Sequence, residues 1–377
     1  MVYLLCFIVL LVFVLAFDVK ISGTKYSYEA NVAIVVSFIM LSLLAGLRFR
    51  VGTDTLAYMN EYYQYPLSYF KDNYLWGWYA LMAICKGLNL SFYFVQLILA
   101  FFTNYAVFKF LRRYSAHFFS ALLLYYVLIY PTLNFEILRQ GVCVAFFLLS
   151  FKYLESRNYV KYYVLIGFAC LFHYSALLLL LIPLFTLIPV NKKSVLGFVF
   201  LLFFVIVFSS LLKERIYEFS KGLSILEDRA YYYFSEMDTE ESFSPLSYIF
   251  NLILNVLIPL FIIVLHCYNY KIPSSYIVIC MVSMIVYIVS VYMPIIYRFN
   301  NYFQLFNTVL FVDLFSWIRA HFKKKPFFVF IVCLLLFLGV KSRVYFANDD
   351  GRRVYFHYYP YSSIFNEFKV PQREQWD

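Results

Sequence analysis

The chain has 377 residues, 64% of them hydrophobic and only 14% charged, with a mean hydropathy of +0.76. A soluble globular domain carries roughly 25% charged residues, so the deficit excludes that class and indicates an integral membrane protein. The net charge of +10 then reads as cytoplasmic Lys and Arg setting orientation, and without a long basic run it does not suggest a nucleic-acid partner.

A spanning helix needs roughly 20 mostly apolar residues. In chain order the candidates are 2–17, 31–47, 91–111, 117–133, 137–152, 159–172, 174–190, 194–212, 246–268, 275–293, 301–318 and 326–340. The expected fold is an all-α polytopic integral membrane protein of about 12 transmembrane helices, with a range of about 10 to 13. It forms a single polytopic membrane domain over 1–377, with an extracytoplasmic loop at 213–245 and an extracytoplasmic tail at 341–377. The first run lacks a basic leader and a small-residue cleavage site, so it reads as a span. Residues 75–90 are amphipathic and read as interfacial or re-entrant. Residues 159–190 read as two short helices or one broken helix.

Loop charge sets the orientation. Arg112–Arg113, the 152–161 stretch, Lys192–Lys193 and the 319–325 stretch are compact and basic, and all fall on one side if 75–90 does not cross. That side is cytoplasmic. Loop 213–245 holds four basic and eight acidic residues and falls on the opposite face. So do Arg48, Arg50, Asp54, Glu136, Arg139, His173 and Arg298. The sequence has no phosphate-binding glycine loop and no metalloprotease or serine-hydrolase motif. Its seven cysteines form no CxxC or metal-like cluster. No metal and no cofactor are expected.

Four stretches carry candidate chemistry. In "GLRFRVGTDTLAY", Arg48 and Arg50 are either headgroup anchors or an anion clamp, because guanidinium forks match phosphate oxygens. Gly52 permits a tight turn, and Thr53–Asp54 offers a helix cap. In "LNFEILRQ", Glu136 and Arg139 are spaced i,i+3 and so share a helical face, as an internal ion pair or as a phosphate contact with an acid–base partner; Gln140 adds a neutral hydrogen-bonding group. In "CLFHYSAL", His173 is a structural histidine or a proton carrier. In "YMPIIYRFNNYF", Arg298 is an interfacial anchor or a second phosphate contact, and Asn and Tyr side chains suit sugar hydroxyls.

Taken together, and in this order, these stretches resemble the EpsG family of polytopic proteins, which includes Wzy-type O-antigen polymerases. The resemblance rests on R-x-R-x-G-T-D-x-x-x-Y from Arg48 to Tyr58, N-x-E-x-x-R-Q from Asn134 to Gln140, FHYSAL from Phe172, and R-x-x-x-Y-F from Arg298 to Phe303. It covers roughly residues 30 to 310. It implies a glycosyltransferase that joins undecaprenyl-pyrophosphate-linked oligosaccharide repeat units at the outer face of the bacterial inner membrane. Its partners are then that lipid-linked glycan, the membrane lipid and a chain-length regulator protein. On this reading Arg48, Arg50, Arg139 and Arg298 bind pyrophosphate, and Glu136, His173 and Asp54 are candidate catalytic groups. Gln140, Tyr58, Asn301 and Tyr302 contact substrate. An O-antigen ligase-like transferase and a flippase of lipid-linked glycan are the alternatives. The first shares the donor; the second should show internal repeats, and none is visible.

Overall fold

The structure is a computed structural model and describes residues 2–19, 27–71, 76–221, 251–269, 274–292, 294–321 and 358–369. Those described residues contain helices and no strand. They divide into two compact units, Met1–Leu180 with Val312–Asp377, and Leu181–Phe311.

The first unit opens with α1 (Val2–Phe13), continued by a π-helical turn, Val14–Val19, and then α2 (Tyr28–Gly46). Three short helices follow: α3 (Thr53–Gln64), α4 (Leu67–Lys71) and α5 (Trp76–Gly87). The centre is α6 (Phe92–Tyr114), which packs against α2, α5, α7 (Phe118–Leu128) and α8 (Leu138–Glu155). Then come α9 (Tyr159–Cys170) and a 3-10 segment, Tyr174–Leu181; α10 (Ile182–Phe185) belongs to the second unit. The stretch 159–190 thus holds separate short helical elements, with a break at Leu171–His173, which matches the reading as two short helices.

Helix α2 shows why the chain suits a membrane. Its buried face sets Ala30, Ala33, Ser37, Ser42, Ala45 and Gly46 among Ile34, Leu41 and Leu44, while Val32, Val35, Val36 and Ile39 point outward. Large apolar side chains outside and small residues at the helix contact are the arrangement lipid favours, since lipid tails offer no hydrophobic drive and backbones must approach closely. At Gly46 an added Cβ would lie 2.4 Å from Leu97 Cδ1. One buried polar cluster closes on itself. Asn134 donates to Tyr125 Oη at 2.8 Å, Tyr125 donates to Asn104 Oδ1 at 3.1 Å, and Asn104 donates to Asn134 Oδ1 at 3.3 Å.

Among the described residues three helices are long and apolar enough to cross a membrane: Tyr28–Gly46, Phe92–Tyr114 and Ser274–Val291. Val2–Asp18, Phe118–Leu128, Tyr159–Cys170, Tyr174–Phe185, Ile253–Leu265 and Gln304–Leu314 are apolar but shorter. The expected span 117–133 is interrupted after Leu128, because Pro131 lacks the N–H that would continue the helix and a π-helical turn, Thr132–Glu136, follows. Helix α5 has 12 residues, about 18 Å at 1.5 Å per residue, short of a hydrocarbon core of about 30 Å.

The second unit contains α11 (Lys192–Lys221), a π-helical turn at Ile253–Leu257, α12 (Ile258–Asn269), α13 (Ser274–Tyr292) and α14 (Pro294–Asn300); α15 (Gln304–His321) runs across the division between the units. Helix α11 runs on to Lys221, so the stretch read as a loop from 213 begins as helix. Hydropathy marks where lipid ends, not where backbone hydrogen bonding ends. Residues 222–245 of that loop, the expected span 326–340, and 341–357 and 370–377 of the tail lie outside the described residues.

Candidate functional site

Helix α3 is the rail on which the site is built. Gly52 precedes it with φ +94°, and a Cβ there would lie 2.3 Å from the Phe135 carbonyl oxygen, so only glycine fits both the angle and the contact. Thr55 Oγ1 donates to that carbonyl at 2.6 Å, and the Asp54 backbone N–H donates to Glu136 Oε2 at 3.3 Å. A carboxylate at a helix N-terminus is favoured by the aligned peptide dipoles. At the other end Lys86 Nζ donates to the carbonyls of Tyr62, at 2.6 Å, and Tyr65. A cation on the last carbonyls completes the dipole.

Arg48 is sealed inside this construction, with none of its side chain accessible. Its Nε donates to Val51 O at 3.1 Å, Nη2 to Thr55 Oγ1 at 2.9 Å and Nη1 to Ala45 O, with the guanidinium 5.2 Å from the Phe135 ring centre. Burial pushes its pKa down to about 10, so it keeps its charge at neutral pH. The expectation that Arg48 touches pyrophosphate does not match this placement; its donors are spent on the turn between α2 and α3. Arg50, two residues on, adopts φ +51° and is partly exposed.

Arg139 is placed differently. Its guanidinium lies 4.7 Å from the Tyr58 ring centre and 5.3 Å from that of Trp78. Its Nη2 is 3.9 Å from Glu61 Oε2, and about a quarter of the side chain stays accessible (25%, against 14% for Glu61). The Tyr79 hydroxyl hydrogen-bonds to Glu61; burial first, then that carboxylate, pushes the phenol well above its usual range. The result is a cation held between two rings, with a carboxylate and a hydroxyl on its edge.

The shared face expected for Glu136 and Arg139 is corrected. The π-helical turn ends at Glu136, Ile137 breaks the chain at φ −90°, ψ 53°, and α8 starts at Leu138. Glu136 therefore turns to α3's N-terminus and Arg139 to Glu61. Gln140 is buried at 2%. Gly141, one residue on, is needed because a Cβ would lie 2.8 Å from Leu133 O.

His173 Nδ1 accepts the Ser175 backbone N–H at 3.1 Å and lies 2.7 Å from Ser175 Oγ. A backbone N–H can only donate, so the neutral ring carries its proton on Nε2. The same break fixes α5: Leu171 O accepts from Gly77 N at 3.0 Å and Trp78 N at 3.4 Å, and a Cβ on Gly77 would meet the Phe172 ring at 2.7 Å. The "FHYS" stretch thus sets the position of Trp78 and Tyr79.

In the other unit Arg298 is exposed, whereas Asn301 is 6% accessible and Tyr302 fully buried. Asn300 Oδ1 accepts from Ser283 Oγ at 3.0 Å, and Asn307 Nδ2 donates to Ser283 Oγ at 2.9 Å. These groups tie the turn after α14 to α13.

Sequence reasoning missed Glu61, Trp78, Tyr79 and the C-terminal segment. Glu61 had a signal: Asp54, Tyr58 and Glu61 recur at i, i+4 and i+7, one face of a helix. The segment had none. Phe49 N donates to Ser362 O at 2.8 Å, Ile364 N to Leu47 O at 3.0 Å, Tyr361 Oη to Leu44 O at 3.0 Å and Tyr3 Oη to Tyr358 O at 2.9 Å. Part of the expected tail is therefore a clasp on the turn that holds Arg48. Among the described residues no group of three or more His, Cys, Asp and Glu is placed to hold a metal.

The described residues, helical and with outer faces suited to lipid, define a membrane protein that carries a caged cation beside a carboxylate. The chain belongs to the EpsG family, whose family model matches residues 31–363. That places it among membrane proteins of polysaccharide biosynthesis. No curated protein and no solved structure matches it.

Proposed function

We propose that this protein is a polysaccharide polymerase. It transfers a growing glycan from undecaprenyl pyrophosphate to an incoming lipid-linked repeat unit, at the outer face of the inner membrane, and releases undecaprenyl pyrophosphate. The observation that carries this reading is Arg139, charged, half-buried against two rings and still accessible. A pyrophosphate leaving group gains negative charge as its bond to the sugar breaks, and a preorganised cation stabilises that charge without reorganising. Family membership supports the substrate class.

On this reading Arg139 is the main pyrophosphate contact, with Arg50, of the same unit, as a further cationic contact. Tyr58 and Trp78 orient the guanidinium. Arg48, Glu136 and Gln140 are positioning residues, as are Asn301 and Tyr302 for the turn beside Arg298. His173 presents an Nε2–H donor.

The test is genetic. The gene is deleted and complemented with wild type or Arg139→Ala, with membrane levels checked, and the surface glycan is read on a gel. The deletion should leave single repeat units on the lipid core, and a well-expressed R139A should not restore long chains. Loss of single units as well would indicate export or ligation. Persistence of long chains in the deletion would remove the proposal.

A further inference from the structure

Glycosyl transfer to a hydroxyl requires a group to take its proton, and the positions of the carboxylates and the histidine bear on which one does. Glu136 receives the N–H at the start of α3. His173 Nδ1 is occupied by the Ser175 N–H, which leaves Nε2 protonated in the neutral ring and unable to accept there. Asp54 is in the first turn of α3, about 10 Å along the axis from Glu61 at 1.5 Å per residue. Glu61 is the carboxylate beside the accessible cation, 3.9 Å from Arg139 Nη2, with the Tyr79 hydroxyl as its neighbour.

We propose that Glu61 takes the proton of the acceptor sugar hydroxyl; this rests on the polymerase reading above. In the step, the acceptor oxygen forms a bond to the anomeric carbon of the donor glycan. The bond from that carbon to the pyrophosphate oxygen breaks, and its electron pair leaves with undecaprenyl pyrophosphate, held by Arg139. The hydroxyl proton passes to the Glu61 carboxylate and then to water. No metal, oxidant or co-reactant enters the balance. Arg139 and Glu61 lie on different helices, α8 and α3, so the pair divides the work: one attends the leaving group, the other the nucleophile. Tyr79 is a positioning residue, acting through Glu61.

The experiment uses the purified full chain in proteoliposomes with a lipid-pyrophosphate-linked repeat unit, comparing wild type with Glu61→Gln, Glu61→Asp and Glu61→Ala. E61Q is expected to lower kcat by about a hundredfold or more while KM for the lipid-linked unit changes by less than about threefold. Sodium formate, a small carboxylate, should restore part of the E61A rate and leave wild type unchanged, a rescue that a merely structural role would not give. Should E61Q not stay monodisperse, E61D, which keeps the charge beside Arg139, decides the matter with an expected loss of about tenfold in kcat. An E61Q enzyme with wild-type kcat, or with only KM raised, overturns the role of Glu61 and leaves the polymerase reading standing. A wild-type enzyme that makes no polymer overturns both.

Discussion

Arg48 and Arg139 begin as equals, two arginines beside apolar runs in a basic membrane protein, and the fold gives them opposite fates. Arg48 has no accessible surface and gives its donors to carbonyls and a threonine of its own turn. Arg139 spends its guanidinium on ring faces and a longer ion pair and keeps a quarter of its side chain open. Burial in a ring of carbonyls makes a cation a structural strut. Contact with π faces leaves its N–H edges available, because the ring quadrupole engages the plane and not the donors. The difference distinguishes a cation that builds a site from one that serves it.

Five changes would break or sharpen this contrast. The largest effect is expected at Arg139→Ala, which should reduce polymer formation by about a hundredfold or more, on the scale of losing a preorganised charge stabiliser, with membrane levels near wild type. If R139A instead disappears from the membrane fraction, Arg139 is a strut as well. Next come Arg48→Ala and Gly52→Ala, which should act on stability. Removing Arg48 strands the Ala45 and Val51 carbonyls, at about 1–3 kcal/mol for each buried group left unpaired. Adding a Cβ at residue 52 combines a strained angle with a collision at Phe135 O, about 3 kcal/mol or more. Thermal unfolding in detergent should show both losses, and undiminished melting in either would mean the turn is not held as described.

A smaller effect is expected from ending the chain at His357. That removes three hydrogen bonds to the Leu44–Phe49 stretch, about 1 kcal/mol each, and should expose the Arg48 turn to protease while α6 stays protected. Unchanged cleavage would show that the clasp does not hold the turn. The smallest is Trp78→Leu, which removes one cation–π face worth about 0.5–2 kcal/mol. It should raise KM for the lipid-linked unit by less than about thirtyfold, and a loss as large as that of R139A would mean that the buried Trp78 ring is what holds Arg139 in place.

The residues that carry the candidate site were mostly legible, while their partners were not. Arg139, Tyr58 and Asp54 stood out as polar groups in a greasy chain. The Glu136–Arg139 pairing did not survive, because a π-helical turn and the break at Ile137 send the two side chains to different neighbours. Spacing along a chain describes a face only while the helix continues. Glu61 shares one face of α3 with Asp54 and Tyr58. Trp78 was hidden because its place depends on Leu171 and Phe172, nearly a hundred residues away.

The sequence by itself determined that this is a helical membrane protein, that 75–90 is amphipathic and 159–190 is not one continuous span, and that its cations sit at the ends of apolar runs. Composition, hydropathy and proline positions are local properties, and the bilayer acts on them segment by segment. Only the tertiary structure decided which arginine is sealed and which is open, that Glu61 and not Glu136 stands beside Arg139, and that residues 358–369 close over the turn at Arg48. Those outcomes depend on which distant carbonyl, ring or carboxylate fills the space around a guanidinium, and that is settled only when the helices pack.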